Sequence, residues 1–243
     1  RVAFWVDLPS AYVTFHKSYV ESVWWALSEL FKKGLLYQGH KVVWWWAQGG
    51  TALSSAEVGL GYKEVDDPSV FVAFPLVEDP TTALCVWTTT PWTLPSNGTT
   101  LTVERTVPAS ELVGKAYTPP FDVFAKDAQP TTWKVIDADF VTLDAGTGIV
   151  HIAPAFGEDD FVAHRKKVGN EAPILCAVKA DGTFSDVMGK YAGRWVKDAD
   201  KDLEHDLKEK GILVHAETYR HPYPFCWRAD NDPLIQLARP AWY

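Results

Sequence analysis

Three consecutive hydroxyls, Thr88, Thr89 and Thr90, follow the run Ala83-Leu84-Cys85-Val86-Trp87 and are themselves followed by Pro91. The run is apolar and rich in strand-forming types, and proline ends regular pairing, so the threonines are expected at a strand end. Each hydroxyl donates one hydrogen bond and accepts two, which lets such a cluster hold a polar ligand or a water without adding charge. Asn97, in the same stretch, adds an amide that both donates and accepts. Threonine is also an ordinary strand and turn residue, and an isolated Thr-Thr-Thr means no more than that in most chains. Further along, Gly146-Thr147-Gly148 reads as a hairpin turn into a strand, Ile149-Val150, that ends on His151. It is too short for a dinucleotide fingerprint and does not enter a helix. A lone strand histidine is more often structural than chemical. Asp159-Asp160 opens a helix-like stretch, where exposed N–H groups and the helix dipole favour carboxylates, so plain capping competes with any chemical role for Asp160. No Ser-His-Asp set, metal-ligand cluster or phosphate-cradling glycine loop competes with these two stretches.

The elements that must position them are legible in outline. Tyr19, Val23, Ala26, Leu27 and Leu30 fall at helical spacing, Ser18 and Glu21 have capping-box spacing, and Gly34 supplies a stop, which predicts a helix with one buried stripe. Near Gly39-His40 the pattern switches to an extended run, Lys41 to Trp46. The clusters Trp24-Trp25 and Trp44-Trp45-Trp46 are expected in a core or between domains. From Tyr62 onward the texture is strand-like: Ser69 to Leu76 alternates, Leu84 to Thr88 follows, and Lys134-Val135-Ile136, Phe140 to Leu143 and Ile212 to Ala216 are further strands. A charged, surface helix is expected over 198–210, ended by Gly211. The fold class expected is mainly β with short helices (α+β): a β-barrel or folded sandwich, with a helical N-terminal segment and β-ribbon linkers.

Composition narrows the class of protein. The 243 residues are 47% hydrophobic and 22% charged, as in a globular chain with a sizeable core. A formal net charge of −8 offers no general field for nucleic acid, so any such contact must come from local patches. Lys32-Lys33 and His164-Arg165-Lys166-Lys167 are candidates, although short basic runs are more often solvated faces. Cys85, Cys176 and Cys226 are odd in number and far apart, which suits a reducing cytoplasm better than a disulfide framework. No apolar run reaches the ~18 residues of a membrane span, and no secretory signal is visible. Starting at Arg1, the chain reads as a fragment or a processed product.

The string Trp87-Thr88-Thr89-Thr90-Pro91-Trp92-Thr93-Leu94-Pro95-Ser96-Asn97 closely resembles the threonine-rich motif of isoleucyl-tRNA synthetase editing domains. Gly146 to Asp160, with His151-Ile152-Ala153-Pro154 at its centre, is similar to that domain's other signature, in the family's order. The valyl and leucyl relatives carry a Thr-Thr-Arg-Pro type of sequence at the first site. The resemblance covers nearly the whole chain. It implies a division into 1–61, the helical edge of a catalytic domain and its outgoing ribbon; 62–217, a β-barrel editing domain; and 218–243, the returning ribbon. Two departures stand out. The segment from Asn97 to His151 is short for the family, and the zinc knuckle of many relatives is replaced by Ala47 and Gly50, with Cys226 alone on the returning side. A closed zinc site takes about four ligands, so no metal is expected, and no cofactor either. The ATP-binding signatures of the parent enzyme are also missing.

The activity implied is hydrolysis of mischarged valyl-tRNA. One methylene is worth only ~1–3 kcal/mol of discrimination, a familiar difficulty for an enzyme that must tell isoleucine from valine, and a second hydrolytic pocket answers it. The ester is labile enough that positioning matters more than a strong nucleophile. By resemblance, Asp160 takes the α-ammonium, a charge-assisted bond. Thr88, Thr89 and Thr90 hold the water, and Trp87, Trp92, Asn97 and His151 bind substrate, with His151 excluding isoleucine. The partners implied are the aminoacylated 3′ end of tRNA and a small side chain such as valine, with no membrane; the resemblance suggests a monomer. The reading from another class is a non-catalytic barrel that only holds the tRNA 3′ end. A free-standing metabolic hydrolase is disfavoured by the two ribbon-like ends.

Overall fold

The structure is a computed structural model that describes residues 5, 7, 9–96, 108–141, 147–229 and 231–243. Asn97 and Gly146 lie outside the described residues. The chain divides into two units, 1–41 with 240–243, and 42–239.

In the first unit, helix α1 (Lys17–Lys32) begins after His16 with no side-chain cap. The capping box expected from Ser18 and Glu21 does not form, because Ser18 is already inside the first turn and Glu21 lies 3.5 Å from Lys17 as an exposed ion pair. Gly34 ends the helix as expected: at φ +69° it takes the left-handed conformation, and the Leu35 N–H returns to the Leu30 carbonyl. The expected buried stripe is not found. No residue of α1 is buried, and Trp24 and Trp25 are each 68% exposed, so this pair is neither core nor covered.

The second unit is built around strand β3 (Tyr62–Pro75), which pairs antiparallel with β4 (Ala83–Thr88) on one side and β5 (Leu213–Pro224) on the other. Alternate side chains of a strand point to opposite faces. Val70, Val72 and Phe74 of β3 and Leu84, Val86 and Thr88 of β4 accordingly form one buried face. Onto it pack Leu94, Tyr117, Phe184 and the two leucines of helix α4 (Asp200–Glu209). Leu203 and Leu207 are fully buried, so the helix expected at the surface in fact buries one face, and only its charged side is solvated. A second sheet, in the order β2-β1-β6, contains β1 (Gln38–Trp46), β2 (Thr51–Ala52) and β6 (Ile235–Trp242). Trp45 joins the main core and Trp44 and Trp46 flank a smaller cluster, as expected for that run. Between these strands Ser54 caps the short helix α2 (Ser55–Gly59), and here a capping box is complete, with Glu57 reaching back to the Ser54 N–H.

The class is therefore α+β with antiparallel sheets, but the described residues do not close into a barrel. The strands expected at 134–136 and 140–143 supply the reason. Lys134 makes one isolated bridge to Ala116, Val135 is a buried core residue outside any strand, and Phe140 and Val141 pair with no strand. The other residues expected to extend the run, Thr142 and Leu143, lie outside the described residues.

One tight approach fixes the packing beside Trp45. Gly182 has φ +76°, and a Cβ there would drive into the Trp195 ring and crowd Ala47. Gly182→Ala should cost about 1–2 kcal/mol from the backbone and more from overpacking. Denaturant unfolding checks this; a midpoint equal to that of the native chain would overturn it.

Candidate active site

β4 carries Thr88 onto the buried face, and the chain then turns through Thr89 and Thr90 into a 3-10 turn, Pro91–Ser96. Proline suits the first position of such a turn because its missing N–H would have no partner there anyway. The turn gathers hydroxyls. Thr88 Oγ1 accepts the Thr90 N–H at 3.1 Å and lies 3.2 Å from Thr90 Oγ1. Thr90 Oγ1 in turn lies 3.3 Å from Thr93 Oγ1. Thr93 donates its hydroxyl to the Thr90 carbonyl at 2.8 Å. Thr89 is half-buried and joins none of these bonds.

The segment from Thr147 runs parallel beside β4, held by the Trp87–Val150 bridge and by the Thr147 hydroxyl on the carbonyls of Cys85 and Ile149. This brings His151 Nε2 to 2.9 Å from Thr93 Oγ1. Thr93 has one hydroxyl proton to give to either the Thr90 carbonyl or His151 Nε2, so the direction of the histidine bond follows the imidazole tautomer. Burial pushes His151 down to about 4, outweighing the opposing hydrogen bond with Thr93, so the ring is neutral at neutral pH. The product is a row of neutral hydroxyls, Thr88, Thr90 and Thr93, ending on a neutral imidazole.

Asp160 stands in the first turn of helix α3 (Glu158–Val168) but caps none of that helix's own N–H groups. Its Oδ2 accepts instead from the Ala153 N–H at 2.9 Å, two residues beyond His151. It therefore ties the histidine's segment to the helix. Gly157 leaves room for this carboxylate, since a Cβ there would lie 2.8 Å from Oδ2. Burial pushes Asp160 up to about 6; the Ala153 N–H opposes the shift and neighbouring Asp159 adds to it. A carboxylate in that state is a ready partner for a cation.

The remaining expected residues fall around this row. Trp87 donates its indole N–H to Ser69 Oγ at 2.6 Å and meets the Tyr219 ring edge-on. Trp92 is 3% exposed and packs edge-on against Phe156, with its backbone N–H on Asp200 Oδ1 at 2.9 Å. The structure thus unites Thr88, Thr90 and His151, and joins Asp160 to them through Ala153. Sequence reasoning missed Thr93 and Asp200. The Thr-x-x-Thr spacing across Pro91 could have disclosed the first, because three residues make one turn of a 3-10 helix. Nothing near Asp200 in the sequence points 108 residues back to Trp92. The basic run on α3 is largely engaged: Arg165 bonds the carbonyls of Gly169, Asn170 and Ala172, and Lys166 and Lys167 pair with Asp139 and Asp137.

A zinc knuckle does not fit the ribbon. Ala47 is buried in the main core, and Cys226 is a single thiol packed with Leu53, Val58 and Leu234. Among the described residues no group of three or more His, Cys, Asp or Glu is arranged to hold a metal.

The chain belongs to the class I tRNA synthetases (I, L, M and V), whose family model matches residues 1–243. Within that class it is 39% identical to the isoleucine–tRNA ligase of Chlamydia pneumoniae, with all of this chain and 26% of that protein aligned. It is 40% identical to the isoleucine–tRNA ligase of Bdellovibrio bacteriovorus, again over all of this chain and 26% of that protein. With the cytoplasmic isoleucine–tRNA ligase of Mus musculus the identity is 38%, over all of this chain and 22% of that protein. The chain thus spans about a quarter of the length of these curated relatives. The alignments run over 279, 280 and 284 positions, more than the chain's own 243 residues, so the relatives carry residues that it lacks.

The raised Asp160 makes a stability prediction. The folded state holds this proton more tightly than the unfolded chain, so the cost of the buried charge is absent below about 4 and fully felt above about 6. Asp160→Asn keeps an acceptor for Ala153. Relative to the native chain it should gain stability as pH rises through that window, by up to roughly 2–3 kcal/mol. Denaturant unfolding at acidic and neutral pH measures the difference, and a pH-independent value would refute the assignment.

Proposed function

We propose that this chain is the editing portion of an isoleucyl-tRNA synthetase and hydrolyses the ester of valyl-tRNA mischarged on tRNA for isoleucine. The observation that carries the reading is the row Thr88, Thr90, Thr93 and neutral His151, with half-buried Asp160 latched to the same segment. Asp160 takes the α-ammonium, whose charge offsets the cost of burying the carboxylate. The threonine hydroxyls orient a water on the ester carbonyl, and Asn97 assists. Positioning of this kind supplies the rate when the bond is already labile. Neutral His151 walls the pocket, admitting valine and refusing the larger isoleucine. Trp87 and Trp92 serve substrate binding by fixing the strand end and the turn. Residues 62–217 form the editing module, flanked by 1–61 and 218–243. The parent is a cytoplasmic isoleucine–tRNA ligase whose ATP-dependent chemistry lies outside this chain, and the fragment works as a monomer without metal or cofactor. The competing reading, a non-catalytic module for the tRNA 3′ end, shares the pocket but needs no ordered water.

Deacylation of valyl- and isoleucyl-tRNA by the chain separates the two. Hydrolysis favouring the valyl ester is expected, and binding of the charged 3′ end with no hydrolysis would favour the non-catalytic module. Asp160→Asn should slow valyl release ~10–150-fold, the value of one charge-assisted bond, while the chain stays folded. An unchanged rate would remove Asp160 from the substrate. His151→Ala should open the pocket so that isoleucyl-tRNA is attacked as well. Discrimination unchanged in that variant would show that the imidazole is not the wall.

A further inference from the structure

A cavity of about 470 Å³ lies between β3, β5 and the start of α4, lined by Asp66, Asp67, Lys197, Asp200, Glu204 and Glu217 among others. Its charges are unevenly matched. Lys197 is committed to Asp67 at 2.7 Å, with His221 Nε2 3.4 Å from the same carboxylate, and Lys197 also lies over the Tyr223 ring at 3.9 Å. Lys201 is the other cation of the lining, which also carries Asp66, Glu204 and Glu217. The decisive group is Asp200, only 5% exposed. One of its oxygens accepts the Trp92 N–H, and the other has no hydrogen-bond donor among the described residues. A carboxylate held this far from bulk water is costly, and a cation bound from the cavity offsets that cost. Pro68 and Ala216 give the lining an apolar wall on which methylenes can lie.

We infer that this cavity binds a small linear diamine or polyamine, one ammonium on Asp200 Oδ2 and the next toward Glu204 and Glu217. An organic cation fits better than a metal ion, because the described residues hold no group of three or more metal-ligating side chains and the cavity has room for a small molecule. The inference does not depend on the editing reaction, yet the occupant shares Asp200 with the threonine turn through Trp92, so its arrival is felt there. The charged and titratable groups that line the cavity with Asp200 are Asp66 and Asp67 from β3, Glu217 from β5, Lys197 before α4, and Lys201 and Glu204 on it, with His221 against Asp67 and Tyr223 within the influence of Asp67 and Asp200. Burial pushes Asp200 up to about 7; Lys197 and the Trp92 N–H oppose the shift and Asp67 adds to it. Binding a cation requires the carboxylate, so affinity is present above that value and lost as pH falls through it.

Isothermal titration of the full 243-residue chain with 1,4-diaminobutane, and separately with magnesium chloride, tests this. Expected is saturable one-to-one diamine binding with Kd below about 10 mM in mildly alkaline buffer, weakened at least about tenfold at pH 5.5 and in Asp200→Asn. That variant keeps an acceptor for the Trp92 N–H. In isotope-labelled protein the Trp92 amide signal should shift on diamine addition. If Asp200→Asn does not fold, Glu204→Gln combined with Glu217→Gln should weaken binding about threefold or more. The inference is overturned by the absence of saturable diamine binding, by equal affinity in the variants, or by magnesium displacing the diamine at equal concentration, which would mean diffuse charge attraction only.

Discussion

The register of β3 against β4 sets most of this structure. Val70 faces Thr88 and Phe74 faces Leu84, so the even-numbered residues of both strands share one side. A slip of β4 by one residue against β3 would turn β4 over, bringing Cys85 and Trp87 to the core side and sending Leu84, Val86 and Thr88 out of it. Burial of Val70, Val72, Phe74, Leu84 and Val86, each at 0–1% exposure, makes such a slip prohibitively expensive. Thr88 is thereby held at the end of the buried face. The turn that follows inherits its position, and so does the segment of His151, which borrows β4 as its pairing partner.

Upon that frame lie polar groups that a core would normally reject. Thr88, Thr93, His151 and Asp200 are each less than a tenth exposed. The hydroxyls and the imidazole satisfy one another in a line, which is the condition under which burying neutral polar groups is tolerable. The two carboxylates differ. Asp160 and Asp200 each accept one backbone N–H, from Ala153 and Trp92, and burial raises both. Stability alone does not call for this, since apolar residues of similar size would pack without the desolvation cost. Carboxylates whose titration is raised by burial are found more often at functional sites than elsewhere.

How much of this was legible from the residues depends on the range of the interaction. Gly34 and Gly211 marked helix ends because their backbone requirement is local; both take positive φ. The threonines at the end of β4 were legible from strand composition and Pro91. The bond between Thr93 and His151 was not, since it spans 58 positions and rests on a parallel bridge that no local pattern encodes. Helix α1 shows the reverse failure. Its periodicity truly describes an apolar face, but periodicity cannot say whether anything covers that face, and Leu30, Phe31 and both tryptophans stand exposed. The barrel failed for a related reason: β-rich residues such as Val135 are also good core residues, and composition does not distinguish a paired strand from a buried loop.

In the editing reaction proposed above, the electrostatic contrast between the two halves of the site would bear on selectivity. A pocket that must separate side chains differing by one methylene gains little from charge near that side chain, because both amino acids meet it equally. Steric exclusion would have to do that part, and the proposed wall, His151, is uncharged, buried and hydrogen-bonded to Thr93, which resists displacement. The common part of the substrate, its ammonium, is where a charge contributes to affinity without distinguishing the two. Asp160 is tied to the same short segment at Ala153. The chain thus keeps the neutral element and the charged element apart in chemistry while fixing both to one stretch of backbone, so that a shift of the segment would disturb both at once.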